Sequence, residues 1–216
     1  FTDAVGLNVY APDKDTDATE TFKTTSSTPA DVTLSYDSNV NGNRMIDGDK
    51  DNSTSDVEVL RFTLEAEDNE ALLKDLKIRI EGKKPNNTNL DISKAVSNVK
   101  LYKDGKQIGG SESVEGNTGN YYVTFKDLDL TLPEDEELEF VVKAQINRLS
   151  TDFPEGSYIK FTIDCDDNED EDLLVENNAG DTINVDGKAE GGQLYVYDKA
   201  IAVNLISTDA KRTSVA

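Results

Sequence analysis

Between Asp37 and Glu58 the chain reads DSNVNGNRMIDGDKDNSTSDVE. Oxygen-bearing side chains fall at every second position: Asp37, Asn39, Asn41 and Asn43, then Asp47, Asp49 and Asp51. Alternate spacing turns these side chains to one side of a loop, with backbone carbonyls between them. That chemistry suits a hard divalent cation. Calcium takes about six to eight oxygens at roughly 2.3–2.6 Å from a flexible loop. Counted from Asp47, Asp49 and Asp51 stand at positions three and five, Ser53 and Ser55 at seven and nine, and Glu58 at twelve. Position twelve is where a bidentate carboxylate closes a calcium loop. Counted from Asp37, Asn39 and Asn41 take positions three and five, with Gly42 at the turn.

Each frame has a fault. In the first, position twelve is Gly48, so closure falls to Asp47 or Asp49. In the second, position six is Asn52 rather than Gly, although Asn tolerates the left-handed turn. The other reading of the stretch is a solvated polar loop between strands. Two further acidic stretches share the spacing. Asp13, Asp15 and Asp17 lack a closing carboxylate. Asp164 to Glu176 holds eight acidic residues and no basic one, with Asp164, Asp166 and Asn168 on alternate positions. Such density calls for water or a cation.

Composition narrows the function. The chain has 216 residues and a net charge of −22, from 44 acidic and 22 basic side chains. Phosphate backbones and anionic membranes need the opposite sign. There is no histidine, which excludes Ser-His-Asp and Cys-His catalysis and His-ligated metals. A single cysteine, Cys165, makes neither an intrachain disulfide nor a thiolate cluster. No stretch is long and apolar enough to span a membrane as a helix. The first residue is Phe1, which reads as a processed form or an excerpt of a longer protein.

The remaining pattern is β. Leu7, Val9 and Ala11 alternate with polar residues, as do Val32, Leu34 and Tyr36. The same period of two runs through Leu60 to Ala66, Leu76 to Ile80, Tyr121 to Phe125, Leu128 to Leu132, Leu138 to Ile146 and Ile159 to Cys165. Val59 breaks phase with Leu60, which predicts a bulge. Asp104-Gly105 is a type I′ hairpin signal. Residues 82–97 read as a polar connection, and no segment shows a helical period. Cys165 falls on an apolar face and reads as a small buried hydrophobe. The expected fold is all-β: an Ig-like antiparallel β-sandwich with Greek-key connections and a calcium-binding loop. Residues 57–198 form the sandwich and 37–56 the loop. Residues 1–36 supply strands that pack on it, and 199–216 a last strand and tail.

Two resemblances follow from these residues. Asp37-x-Asn39-x-Asn41-Gly42 resembles the calcium loops of dockerins and related Asp/Asn-rich extracellular loops. The runs LRFTLEAEDNEALLKDLKIRIEG, SNVKLYKDGKQIG, YYVTFKDLDLTLPEDEELEFVVKAQI and YIKFTID resemble repeated β-sandwich modules of bacterial secreted and surface-layer proteins. In such arrays one module runs into the first strand of the next, and LYVYDKAIAVNLIST is similar to that junction. The resemblance implies an extracellular structural subunit at the cell surface, with no catalytic residues. Its expected partners are tandem modules or further copies in a homopolymer, joined through Ile201, Val203 and Leu205. The alternative is a carbohydrate-binding module, taking a surface glycan on outward tyrosines such as Tyr122, Tyr195 and Tyr197. Asn52-Ser53-Thr54 and Asn86-Asn87-Thr88 are glycosylation triplets.

Overall fold

A computed structural model of the chain describes residues 30–166 and 172–198. The strands expected at 7–11 and 201–205, the acids at 13–17 and Asn168 lie outside the described residues. The strands are β1 (Asp31–Ser35), β2 (Arg44–Gly48), β3 (Thr54–Glu67), β4 (Ala71–Lys83), β5 (Val96–Lys103), β6 (Lys106–Glu112), β7 (Glu115–Asn117) and β8 (Asn120–Phe125). Then come β9 (Leu130–Leu132), β10 (Glu136–Ile146), β11 (Tyr158–Asp164), β12 (Leu173–Glu176), β13 (Thr182–Ile183), β14 (Val185–Glu190) and β15 (Leu194–Asp198). One helical turn, α1 (Ile92–Ala95), precedes β5.

One layer runs β14-β1-β3-β10-β5-β6. In the other, β4 pairs with β8, β9, β11 and β12, and β11 carries β15, which carries β2. β14 belongs to both layers, through β1 and through β11. Alternation explains the packing. Leu60, Phe62, Leu64 and Ala66 are buried, while Arg61, Thr63 and Glu65 are partly exposed. Leu138 to Ile146 repeats this on β10, and Phe62 stacks on Phe140 with centroids 5.1 Å apart. Leu76, Ile78, Ile80, Phe161 and Ile163 from the second layer join the same core, as does Cys165.

The expected bulge is present. Val142 pairs with Leu60 but Lys143 with Glu58, so Val59 is the extra residue, and Val59 and Leu60 are both buried. The β5–β6 hairpin turns at Asp104 (φ 50°) and Gly105 (φ 73°), the positive pair a type I′ turn requires.

Three expectations are corrected. The sheets are not wholly antiparallel, because β1 runs parallel to β14 and β2 parallel to β15. Leu128 is not in a strand. Asp127 (φ 52°) and Asp129 (φ 46°) turn left-handed there, and Asp127 N–H donates to Asp75 Oδ1 at 3.0 Å. The 82–97 connection is not merely polar. Asp91 caps α1 through Ser93 N–H, which folds Leu90, Ile92 and Ala95 into the core.

The topology places two ends of the described chain far apart. Asp31, where β1 begins, pairs with Glu67 at the C-terminal end of β3. Asp198, where β15 finishes, pairs with Gly48, and Thr54 at the N-terminal end of β3 donates to Asp47 O nearby. β3 has 14 residues. At about 3.3 Å per residue it separates these poles by roughly 40 Å.

Phe140→Ala removes half of the stacked pair at the centre of the core. It is expected to lower unfolding stability by about 3–5 kcal/mol in a urea titration. A loss below about 1 kcal/mol would show that this pair does not anchor the two layers.

Candidate functional site

The loop between β1 and β3 folds because two backbone groups on β3 need partners. β1 leaves the sheet after Ser35, which pairs with Thr63. Arg61, two residues back along β3, is then left without a β1 neighbour. Asn41 supplies it. Its Nδ2 donates to Arg61 O at 2.7 Å, and its Oδ1 accepts from Arg61 N–H at 2.9 Å. The carboxamide extends the ladder by one rung, and Asn41 is only 5% exposed. Asp37 shapes the turn that delivers it. Asp37 Oδ1 accepts from Asn39 N–H at 2.8 Å, and Asp37 O accepts from Asn41 N–H at 3.0 Å.

Asn43 plays a similar part toward β15. Its Oδ1 accepts from Gln193 N–H at 2.7 Å, while Arg44 N–H donates to Gln193 O at 3.1 Å. The approach is close. A Cβ on Gly192 would stand 2.3 Å from Gly42 C and 2.5 Å from Asn41 O, so only glycine fits. Glu58 faces Arg61, accepting from Nε at 3.1 Å and Nη2 at 3.0 Å, and Arg61 Nη1 reaches Glu139 at 2.6 Å. Arg44 donates to Glu58 O.

The other aspartates stand apart from that group. Asp47, Asp49 and Asp51 line an open cleft of about 700 Å³ with Gly48, Lys50, Thr54 and Asp198. Asp49 Oδ1 accepts from Asp51 N–H at 2.7 Å and Asn52 N–H at 3.2 Å, and these bonds hold its carboxyl below the ordinary range. Lys50 Nζ pairs with Asp198 at 2.8 Å. The eight residues singled out in the sequence therefore do not form one shell. Asn41, Asn43 and Glu58 hold the loop to its neighbours, Asp37 and Asn39 form the turn, and Asp47, Asp49 and Asp51 share the cleft. Among the described residues, no three Asp, Glu or Cys side chains converge as a ready metal site.

Two of the outward tyrosines have their own neighbours. Tyr122 lies under Lys77, with Nζ 5.5 Å from its centroid. Tyr195 tilts 56° against Tyr158 and its hydroxyl donates to Gln193.

One buried charge was not anticipated. Asp172 is 1% exposed. Arg79 Nε donates to its two oxygens at 3.0 and 2.8 Å, and Asp164 N–H donates to Oδ2 at 3.0 Å. Burial still raises its pKa, against the pull of those donors. The sequence held one signal: Asp172 is the acid of the run that abuts Leu173-Leu174-Val175, the start of a strand. On the same outer face Lys188 pairs with Asp164 at 2.9 Å, and Lys160 pairs with Glu190. Hydrogen bonds from these lysines lower both carboxyls.

No protein-family model and no curated protein matches the chain. Among solved structures it is similar to the major pilin subunit of Bacillus cereus, with TM-score 0.31, 11% identity, 78% of this chain and 40% of that one. It is also similar to a chain of the CaDoc0917–CaCohA2 complex, with TM-score 0.29, 12% identity, 78% of this chain and 99% of that one. The chain thus spans less than half of the pilin subunit's length. Likenesses this remote assign no function.

Two outcomes test the site. Asn41→Ala leaves Arg61 N–H and C=O without their partner. It is expected to lower stability by about 2–3 kcal/mol in urea titrations; no loss would mean that water replaces the carboxamide. The second concerns acid. Asp164 and Glu190 have folded pKa values below their unfolded ones, so their contribution is present above the ordinary carboxylate range. It is lost as pH falls below about 4. Asp172, shifted upward, has the opposite sign: its contribution is full at low pH and falls away as pH rises through its folded pKa. Melting temperature should therefore drop between about pH 5 and pH 3, and Asp164→Asn should flatten that slope. An unchanged slope would remove Asp164 from the acid response.

Proposed function

We propose that this chain is a structural module of an extracellular, cell-surface assembly, joined end to end with further modules or copies of itself. One observation carries the reading. The polypeptide comes into β1 at one pole and leaves β15 at the opposite pole. A module built this way passes a chain, and any load on it, along its long axis. Contacts between opposite poles are heterologous, and they propagate into open filaments or arrays rather than closed dimers. The acidic surface keeps such a module soluble until it is docked.

Residues beyond Asp198 supply the joint in this reading. Ile201, Val203 and Leu205 form an apolar row in the sequence. Both sides of β15 are already taken, by β11 and β2, and a return to the free side of β2 has little length to spare. β15 already pairs with β2, so the chain would have to cross the end of β2, a lateral distance of about 9.6 Å. From Asp198 to Ile201 the chain reaches at most roughly 11 Å. That leaves little slack to pass Asp49, which follows the end of β2. A neighbouring copy meets no such limit, so the row adds to an open edge there.

Calcium belongs to the same reading as a stiffener of this pole. The donor set fits only in part. Asp47, Asp49, Asp51 and Asp198 offer carboxylates around one cleft, whereas the oxygens of Asn41, Asn43 and Glu58 already accept protein hydrogen bonds. The ion would compete with Lys50 for Asp198.

Two readouts separate these claims. Residues 1–198 are expected to stay monomeric in sedimentation where the full chain forms concentration-dependent oligomers; equal assembly by both would end the strand-joint proposal. Millimolar calcium should raise the melting temperature, by the equivalent of about 2.7 kcal/mol at a hundredfold excess over Kd. Asp49→Ala with Asp51→Ala should abolish that rise. A melt indifferent to calcium and to EGTA would remove the ion.

A further inference from the structure

The chain carries two Asn-x-Thr triplets in the described residues, at Asn52 and Asn86. Both lie at the pole where β15 ends. Asn52 is in the loop beside Asp198, and Asn86 follows β4, whose Lys83 pairs with Tyr158 of β11. Both asparagines are exposed, so neither position nor access distinguishes them. Local bonding does.

At Asn86 the triplet forms a closed turn. Asn87 N–H donates to Lys84 O at 2.8 Å, and Lys84 N–H to Thr88 O at 2.9 Å. Pro85 holds the first corner, and Asn87 takes the left-handed conformation at φ 62°. The Thr88 hydroxyl donates to Asn86 Oδ1 at 2.7 Å, and Thr88 N–H donates to the same oxygen at 3.2 Å. Two donors on the carboxamide oxygen fix the amide plane. Asn86 Nδ2 has no hydrogen-bond partner among the described residues, and the residue is exposed in a turn that already juxtaposes asparagine and hydroxyl.

At Asn52 the same residue types are used otherwise. Its N–H donates to Asp49 Oδ1 at 3.2 Å and its Nδ2 to Asp49 Oδ2 at 3.4 Å. The Thr54 hydroxyl donates to Asp47 O at 3.2 Å, on the far side of the loop. The hydroxyl and the carboxamide of this triplet do not meet.

We propose that Asn86, and not Asn52, is an acceptor of an N-linked glycan in the folded chain. The donor class is an oligosaccharide carried on a polyisoprenyl pyrophosphate, and the reaction is a transferase-catalysed displacement at the sugar C1. The Nδ2–C1 bond forms, and the C1–O bond to the pyrophosphate breaks. The lipid pyrophosphate leaves, and Nδ2 gives up one proton to a base of the transferase. No oxidant or reductant takes part. The inference holds whether or not the chain assembles end to end.

The test uses the folded full chain with an unstructured Asn-x-Thr tag added at its C-terminus as an internal control. It is incubated with a transferase that reads Asn-x-Thr and with lipid-linked oligosaccharide, and glycopeptides are quantified by mass spectrometry. The tag and Asn86 should be modified at similar rates. Asn52 should lag by at least about tenfold, because its bonds to Asp49 must first break. Thr88→Ser should retain modification at Asn86, and Thr88→Ala should lose it. Short peptides spanning 48–58 and 82–92 should be modified equally, since neither keeps the fold. A modified tag with Asn86 bare, equal rates at Asn52 and Asn86 in the folded chain, or a preference that persists in the peptides would each overturn the proposal.

Discussion

Burial of the apolar row shared by β3 and β10 is the constraint from which the rest of this molecule follows. Phe62 stacks on Phe140, with Leu60, Leu64, Leu138 and Val142 beside them, and all are at or near complete burial. A row this long cannot hide against a single strand. It needs the second layer, whose Leu76, Ile78, Phe161 and Ile163 complete the core. The length of β3 also sets the long axis of the sandwich. The two places where the chain joins and leaves the described core fall at opposite ends of it.

The same strand explains the Asp/Asn-rich loop. A buried edge cannot leave backbone N–H and C=O groups unpaired. β1 is short, so Arg61 needs a substitute partner, and a carboxamide offers a donor and an acceptor in one plane. That role fits Asn41 and excludes Asp, because a carboxylate has no proton to give to Arg61 O. Asn43 meets the parallel need at Gln193. Side chains that alternate like cation ligands are thus divided between backbone substitution and an open acidic cleft.

The fold was legible where one physical signal governed it. Period-two alternation located β3, β4, β8, β10 and β11, and the phase break at Val59–Leu60 located the bulge. Asp104-Gly105 located the hairpin turn. Legibility failed where a polar side chain served its own backbone. Eight described residues other than glycine have positive φ, and all are Asp or Asn. Part of the acidity is therefore turn chemistry, which alternation alone cannot separate from ligand chemistry. Asp127 and Asp129 broke an expected strand for this reason. The parallel pairs β1–β14 and β2–β15 join segments far apart in sequence, and no local pattern records such a choice. Asp172 was hidden in an acidic run because its partner, Arg79, lies 93 residues away.

The claim that the module is joined pole to pole is tested most directly by distances between copies. One batch of the full chain carries a spin label at Asp51→Cys and another at Asp68→Cys, on exposed turns at opposite poles, while the native Cys165 is buried. The batches are mixed under assembling conditions and read by pulsed dipolar spectroscopy. The account predicts a short distance between unlike labels on neighbouring copies, well under the roughly 40 Å that separates the poles within one copy, and none between like labels. Short distances between like labels would mean a two-fold contact, and no intermolecular distance would mean no joint at these poles; either result would contradict it.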